Sequence, residues 1–254
     1  MGGISVYVEI RKILPDVHYF YFFDNVYFPY GNKEEKFIIQ RAEQIISEIS
    51  NKYWLDMVVI ACNTVSTVAL SSLRAKFKFP IVGVVPAIKQ AAKLTRNGII
   101  GLLATPRTIS QSYTHELIAQ FASKYRTLML GSLELVILAE NKLQKLPISM
   151  EKLQNILQTW LIKDHHPDII ILGCTHFQFL TEELYQIFPS GIQILDSSVA
   201  VARQINLLLR ELPLKKNIKS PNIAFCIDFP NNYEQKFLVL QRYGFKILEP
   251  LLLK

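Results

Sequence analysis

Two stretches of this chain repeat one pattern. Met57-Val58-Val59-Ile60-Ala61 separates Asp56 from Cys62, and Ile169-Ile170-Ile171-Leu172-Gly173 separates Asp168 from Cys174. Four apolar residues and one small one stand between the acid and the thiol each time. Runs with no polar alternation need burial on both faces, which a parallel sheet covered by helices provides. Small polar residues and a helical pattern follow both cysteines (Asn63, Thr64 and Ser66; Thr175). The unit therefore reads as a strand delivering a thiol to a strand-to-helix turn, where open α/β sheets build their sites. Its recurrence predicts two similar parallel-sheet α/β domains with Cys62 and Cys174 on opposite walls of a cleft, divided as 1–86 plus 198–254 and 87–197.

The intervening pattern agrees. Ile4, Val8, Ile10 and Leu14 recur at helical spacing until Pro15, and Tyr19 to Phe23 is an aromatic strand. A turn-rich loop, Asp24 to Asn32, leads to a helix with Ile38, Ala42, Ile45 and Ile49 on one face. After the Cys62 strand come a helix over about Ser66 to Lys76 and a strand over Ile81 to Val85. Strands near 98–104 and 127–130 follow, then helices near 133–140 and through Met150, Leu153, Leu157 and Trp160. Beyond the Cys174 strand stand a helix over about 180–188, a strand at 192–195 and a helix bearing Val201, Ile205 and Leu208. Two last strands cover 222–227 and 245–248. Thr105 and Thr108 flank Pro106 and supply hydroxyls to cap the helix after them.

With 254 residues, half of them hydrophobic and 19% charged, the chain buries a substantial core. No apolar run reaches the roughly 18 residues that span a bilayer, and no basic leader opens the sequence, so a cytoplasmic location is expected. The net charge of +7 is spread out; its densest cluster, Lys215-Lys216-Asn217-Ile218-Lys219, reads as a solvated loop, and nucleic acid is not the expected partner. Three cysteines without a CxxC pair suggest neither a disulfide framework nor a zinc site.

A strand cysteine is ordinarily structural, and Cys226, in an apolar strand without polar companions, is read so. Cys62 and Cys174 stand at strand ends beside side-chain donors, and a helix N-terminus favours their thiolates. His176, two residues beyond Cys174, shares its face if the strand continues, and exchanges a proton with it. A cysteine hydrolase leaves the second thiol unused, and a dithiol redox pair favours CxxC spacing. Proton transfer at a carbon held between two bases uses both thiols. For an amino acid that is racemisation.

Ala61-Cys62-Asn63-Thr64 and Leu172-Gly173-Cys174-Thr175-His176-Phe177 resemble the two signature motifs of the glutamate racemases, in the cofactor-independent aspartate/glutamate racemase superfamily. Pro29-Tyr30-Gly31 and Ala104-Thr105-Pro106-Arg107-Thr108 are similar to two further motifs. The resemblance implies D-glutamate supply for peptidoglycan, with neither pyridoxal phosphate nor metal, and commonly a homodimer. It implies Cys62 and Cys174 as the bases. Tyr30, Gly31, Asn63, Thr64, Thr108, Thr175 and His176 become substrate contacts, and His176 also assists Cys174. It matches Glu140 to an acid assisting on the Cys174 side, against the alternative of a solvated helix end. Some family members bind DNA gyrase, with which the basic charge is compatible. The family's first strand, ending Asp-Ser-Gly, is not in this sequence, which opens Met1-Gly2-Gly3; its Asp assists the first cysteine, so reduced activity is expected. Rival readings are a racemase of aspartate or another amino acid, or an inactive homologue that binds.

Overall fold

The computed structural model describes residues 1–162, 166–212, 220–230 and 232–253. In chain order, α1 (Ile4–Ile13), β1 (Phe20–Phe23), α2 (Glu35–Lys52), β2 (Val58–Ile60), α3 (Asn63–Lys76), β3 (Ile81–Gly83) and α4 (Ile88–Leu94) come first. Next are β4 (Ile99–Ala104), α5 (Pro106–Ser110), α6 (Ser112–Phe121), β5 (Arg126–Gly131), α7 (Glu134–Leu143), α8 (Met150–Leu157) and β6 (Ile169–Gly173). Last are α9 (Thr181–Ile187), β7 (Gln193–Leu195), α10 (Ser198–Arg210), β8 (Ile223–Cys226), α11 (Tyr233–Arg242) and β9 (Ile247–Pro250). The basic cluster at 215–219 lies outside the described residues.

All strand pairs are parallel, as runs buried on both faces require. The order β5-β4-β6-β7 makes one four-stranded sheet. Its centre, β4 and β6, is buried almost throughout, and the two strands pair Ile100 with Ile169 through to Ala104 with Gly173. The remaining strands form two separate sheets, β1-β8-β9 and β2-β3. β1 and β2 are not paired with each other, so each keeps an open edge. α1 packs into this region: its Val6 and Ile10 join Val82, Val84, Val201 and Ile205, with Val59 and Ala61 partly buried against them. The side of α10 carrying Val201, Ala202 and Ile205 thus belongs with α1 to the core beside β2 and β3.

Three sequence expectations need correction. α3 begins at Asn63, not near Ser66, because the Cys62 carbonyl already accepts from the Ser66 N–H at 2.9 Å. Asn63 and Thr64 therefore project from the helix's first turn, where short polar residues are tolerated. β6 ends at Gly173, so His176 is not on a continuing strand; it has helical backbone angles and precedes a 3-10 turn, Phe177–Leu180. β3 stops at Gly83, two residues early, where the Val84 N–H is shared between the Ile60 carbonyl at 3.2 Å and the Ser66 hydroxyl at 3.0 Å. The turn-rich loop holds a 3-10 turn, Tyr30–Asn32. Helices α4 and α11, for which the sequence reading assigned no element, bury Ile88 and Ala91 and Val239 and Leu240 respectively. Among the described residues no helix is long and apolar enough to cross a membrane.

Candidate active site

The two signature turns meet. The Thr175 hydroxyl donates to the Ala61 carbonyl at 3.2 Å, joining the residue after Cys174 to the residue before Cys62. Ser5, at the start of α1, donates to the Thr175 carbonyl at 3.0 Å. Cys62 is the N-cap residue of α3 with extended backbone, and Cys174 follows the last residue of β6. All three cysteines are free thiols. Cys62 keeps some solvent access; Cys174 and Cys226 are buried.

The expectation of stabilised thiolates is not met in this state. Burial raises the Cys62 thiol, although the Val65 and Thr64 N–H groups and the Thr64 hydroxyl pull it down. Burial, with Cys62 adding, pushes Cys174 up to about 12 despite the N–H groups of His176 and Phe177. Loss of hydration outweighs a few donors because a thiolate removed from water loses its whole solvation shell. Both thiols carry their protons. Cys226 is set apart in β8, its thiol 3.7 Å from the Glu249 carbonyl, in agreement with a structural role.

His176 lies beside Cys174, with Nδ1 3.9 Å from the sulfur. Glu140 is buried: its Oε2 lies 3.1 Å from His176 Nε2 and accepts from the Met1 nitrogen at 2.6 Å. Burial alone would raise the Glu140 carboxyl, but the Met1 amine, His176 and Lys236 outweigh it and hold the group well below the usual carboxylate range. Burial, with the positive Met1 amine beside it, lowers His176 to about 4. The Gly2 N–H also points at His176 Nε2, at 3.0 Å. Glu140 Oε2, the Gly2 N–H and the Met1 nitrogen, 3.2 Å away, thus compete for Nε2. A carboxylate accepts the stronger hydrogen bond, and with the proton on Nε2 toward Glu140, Nδ1 faces Cys174 as an acceptor.

The other candidates line the same region. Thr64 contacts the hydroxyls of Thr105 at 2.9 Å and Thr108 at 3.2 Å, and those two lie 3.0 Å apart. The Thr105 hydroxyl also accepts from the Thr108 N–H, capping α5 as expected of this threonine pair. Thr105, inside the Ala104–Thr108 motif, was not among the expected contacts; its hydroxyl spacing to Thr108 is visible in the sequence, but its meeting with Thr64 is not. Tyr30 donates to Asp24 at 2.7 Å. Gly31 is buried where a Cβ would come within 2.6 Å of the Thr105 Cβ, so only glycine lets this turn approach the hydroxyl cluster. Asn63 is buried, and its Oδ1 has no hydrogen-bond partner. The aspartates of the repeat do not share a role: Asp168 ties Thr95, Arg96 and Asn97 into the loop before β4, whereas Asp56 meets Trp54.

A parallel α/β chain whose two thiol-bearing turns are joined by a hydrogen bond is the arrangement found here. The chain belongs to the Asp/Glu/hydantoin racemase family, whose sequence model matches residues 3–205. Within that family it falls among the glutamate racemases. It is 54% identical over 252 residues to glutamate racemase of Escherichia fergusonii, covering 99% of this chain and 88% of the relative. It is 53% identical to that of Salmonella typhimurium, at 99% and 89% coverage. The crystal structure of Escherichia coli glutamate racemase, in complex with L-glutamate and the activator UDP-MurNAc-Ala, superposes with a TM-score of 0.96 at 52% identity, covering 100% of this chain and 95% of that one. Identities at this level over nearly the whole chain favour glutamate over the aspartate alternative.

Proposed function

We propose that this glutamate racemase works with two bases, Cys62 and Cys174, on opposite faces of the α-carbon. One thiolate takes the α-proton, forming S–H and leaving the electron pair on carbon. The opposite thiol gives its proton to the other face and becomes the thiolate. No atom is gained or lost, and the configuration inverts. The observation that carries this reading is the Thr175–Ala61 hydrogen bond, which joins the two cysteine turns across separate sheets.

The remaining roles follow from the partners each group has or lacks. The orphaned Asn63 Oδ1 suits the α-ammonium of the substrate, since a buried carbonyl without a donor is costly to leave unmade. The Thr64, Thr105 and Thr108 hydroxyls share protons among themselves and can turn one toward a carboxylate. Tyr30, Gly31 and Thr175 complete the contacts. The bound ammonium places positive charge between the thiols and eases ionisation of one of them. His176 Nδ1 takes the proton of Cys174, and Glu140 holds His176 in the tautomer that does so. The division 1–86 plus 198–254 and 87–197 is supported by α10, which packs with α1. Family resemblance supports a cytoplasmic homodimer that supplies D-glutamate for peptidoglycan. By resemblance alone it also supports association with DNA gyrase.

The test is Cys62→Ser and Cys174→Ser, each assayed with D- and L-glutamate without added cofactor. Both variants lose racemisation, and each retains α-proton exchange or elimination with a single enantiomer of a suitable analogue. Full racemisation by either one refutes the two-base reading.

A further inference from the structure

α11 lies beyond the residues that the family model matches, yet its polar contacts converge on the end of α7 that carries Glu140. Lys236 Nζ is 3.3 Å from Glu140 Oε1 and 5.8 Å from the centre of the Phe23 ring. Asn232, just before α11, donates to Gln144 Oε1 at 3.2 Å, and Gln144 lies 3.4 Å from Glu140 Oε1. Arg242 donates to the Leu143 carbonyl at 2.7 Å. These contacts bridge α11, which packs on the β1-β8-β9 sheet, to α7, which packs on the four-stranded sheet.

The Lys236 side chain is only 13% exposed. A long, flexible cation held there loses rotamer freedom and hydration, and a pair of this kind is weak evidence for a purely stabilising role. A methionine would fill the same space against Phe23 at lower cost. What methionine lacks is a charge to hold Glu140 Oε1. With Oε1 held, Oε2 stays on His176 Nε2; without it, Oε1 keeps only the long Gln144 contact at 3.4 Å, the carboxylate turns toward the Met1 amine on Oε2, and the Gly2 N–H competes better for His176 Nε2.

We infer that Lys236 is a positioning residue for the Cys174 base: it anchors Glu140 so that His176 keeps Nδ1 free to accept the Cys174 proton. This rests on the two-base reading above. Lys236 touches neither thiol, and its action runs through Glu140 and His176.

The test compares Lys236→Met with Lys236→Arg, in the full chain, using L- and D-glutamate with hydrogen or deuterium on the α-carbon. In Lys236→Met, kcat falls on the order of tenfold or more while KM changes by less than about twofold. The loss in kcat/KM is equal in both directions, as an equilibrium constant of one between enantiomers demands. The substrate deuterium effects on kcat/KM, by contrast, separate. The effect grows for the enantiomer whose proton goes to Cys174, where abstraction is slowed. It shrinks for the other, where delivery from Cys174 is slowed instead. Lys236→Arg restores kcat and closes the gap between the effects.

Equal losses in the methionine and arginine variants, a loss confined to KM, or isotope effects that do not separate would each overturn the proposal. A thermal melt of both variants shows whether Lys236→Met is folded; if it is not, the same isotope comparison is made on Lys236→Gln. Cys174→Ser is the control. If it racemises normally, the two-base reading has failed; if it is inactive while Lys236→Met is normal, only the role of Lys236 has failed.

Discussion

Asp24→Asn removes one charge from an enclosed ion pair with Arg41. Asp24 Oδ2 accepts from Tyr30 Oη and from Arg41 Nε, each at 2.7 Å, and Oδ1 accepts from the N–H groups of Val26 and Tyr27 at 3.1 and 3.3 Å. The two side chains are 4% and 11% exposed. Asparagine keeps one acceptor for the turn but sets an NH2 group against two donors, and leaves the Arg41 guanidinium uncompensated. Arg41 retains Gln44 at 3.2 Å and the Tyr27 ring at 4.7 Å. Breaking a buried pair from one side costs about 3–5 kcal/mol. At roughly 2–4 °C per kcal/mol for a chain of this size, Tm falls by about 6–20 °C. Urea unfolding reads the same loss as a lower midpoint at unchanged slope. Arg41→Met added to Asp24→Asn recovers on the order of 2 kcal/mol, because the stranded charge is gone. A loss below about 1 kcal/mol, or strict additivity of the two substitutions, refutes the claim that the pair is a buried, coupled unit.

Thr105→Val keeps the shape and deletes the hydroxyl that caps α5 and meets Thr64; stability drops by about 1 kcal/mol and KM for glutamate rises, which denaturation and steady-state kinetics read separately. Ser66→Ala removes a hydroxyl that accepts from the Val84 N–H and donates to the Ile60 carbonyl; because that N–H keeps the Ile60 carbonyl at 3.2 Å, the cost in a chemical melt is about 1 kcal/mol. Alkaline pH sets activity against stability. The folded Cys174 thiol is raised from 9.0 to about 12, so below pH 9 its contribution to stability is whole. From there toward about pH 12 only the unfolded chain releases the proton, and stability is lost as pH rises. In the folded chain the Cys174 thiolate forms only as pH nears about 12, so kcat/KM climbs at the top of that range. A Tm flat across that range, or a smaller decline in wild type than in Cys174→Ser, contradicts this assignment.

Much of the fold was legible because burial on both faces leaves a signature in composition. Ile169 to Leu172 has no polar residue to turn toward water, so it reads as a central parallel strand, and it is one. The face of α2 was equally plain from Ile38, Ala42, Ile45 and Ile49. Element ends were less legible. α3 starts at Asn63 because of a backbone bond from the Cys62 carbonyl, and backbone bonds leave no mark on residue type. The short α4 was missed because only Ile88 and Ala91 face inward.

By itself the sequence determined the α/β class, the doubled thiol unit and, through its motifs, the candidate residues Cys62, Asn63, Thr64, Cys174, Thr175 and His176. These are local properties, set by runs of apolar side chains and by neighbours a few positions apart. Only the tertiary structure decided how those residues act on one another. It brought Thr175 against Ala61, closed the Thr64–Thr105–Thr108 cluster, and buried Glu140 between His176 and Lys236. It also raised both thiols, where a helix terminus read in isolation favoured thiolates. Hydration and charge depend on everything packed around a group, and that surrounding is assembled from segments far apart in the chain.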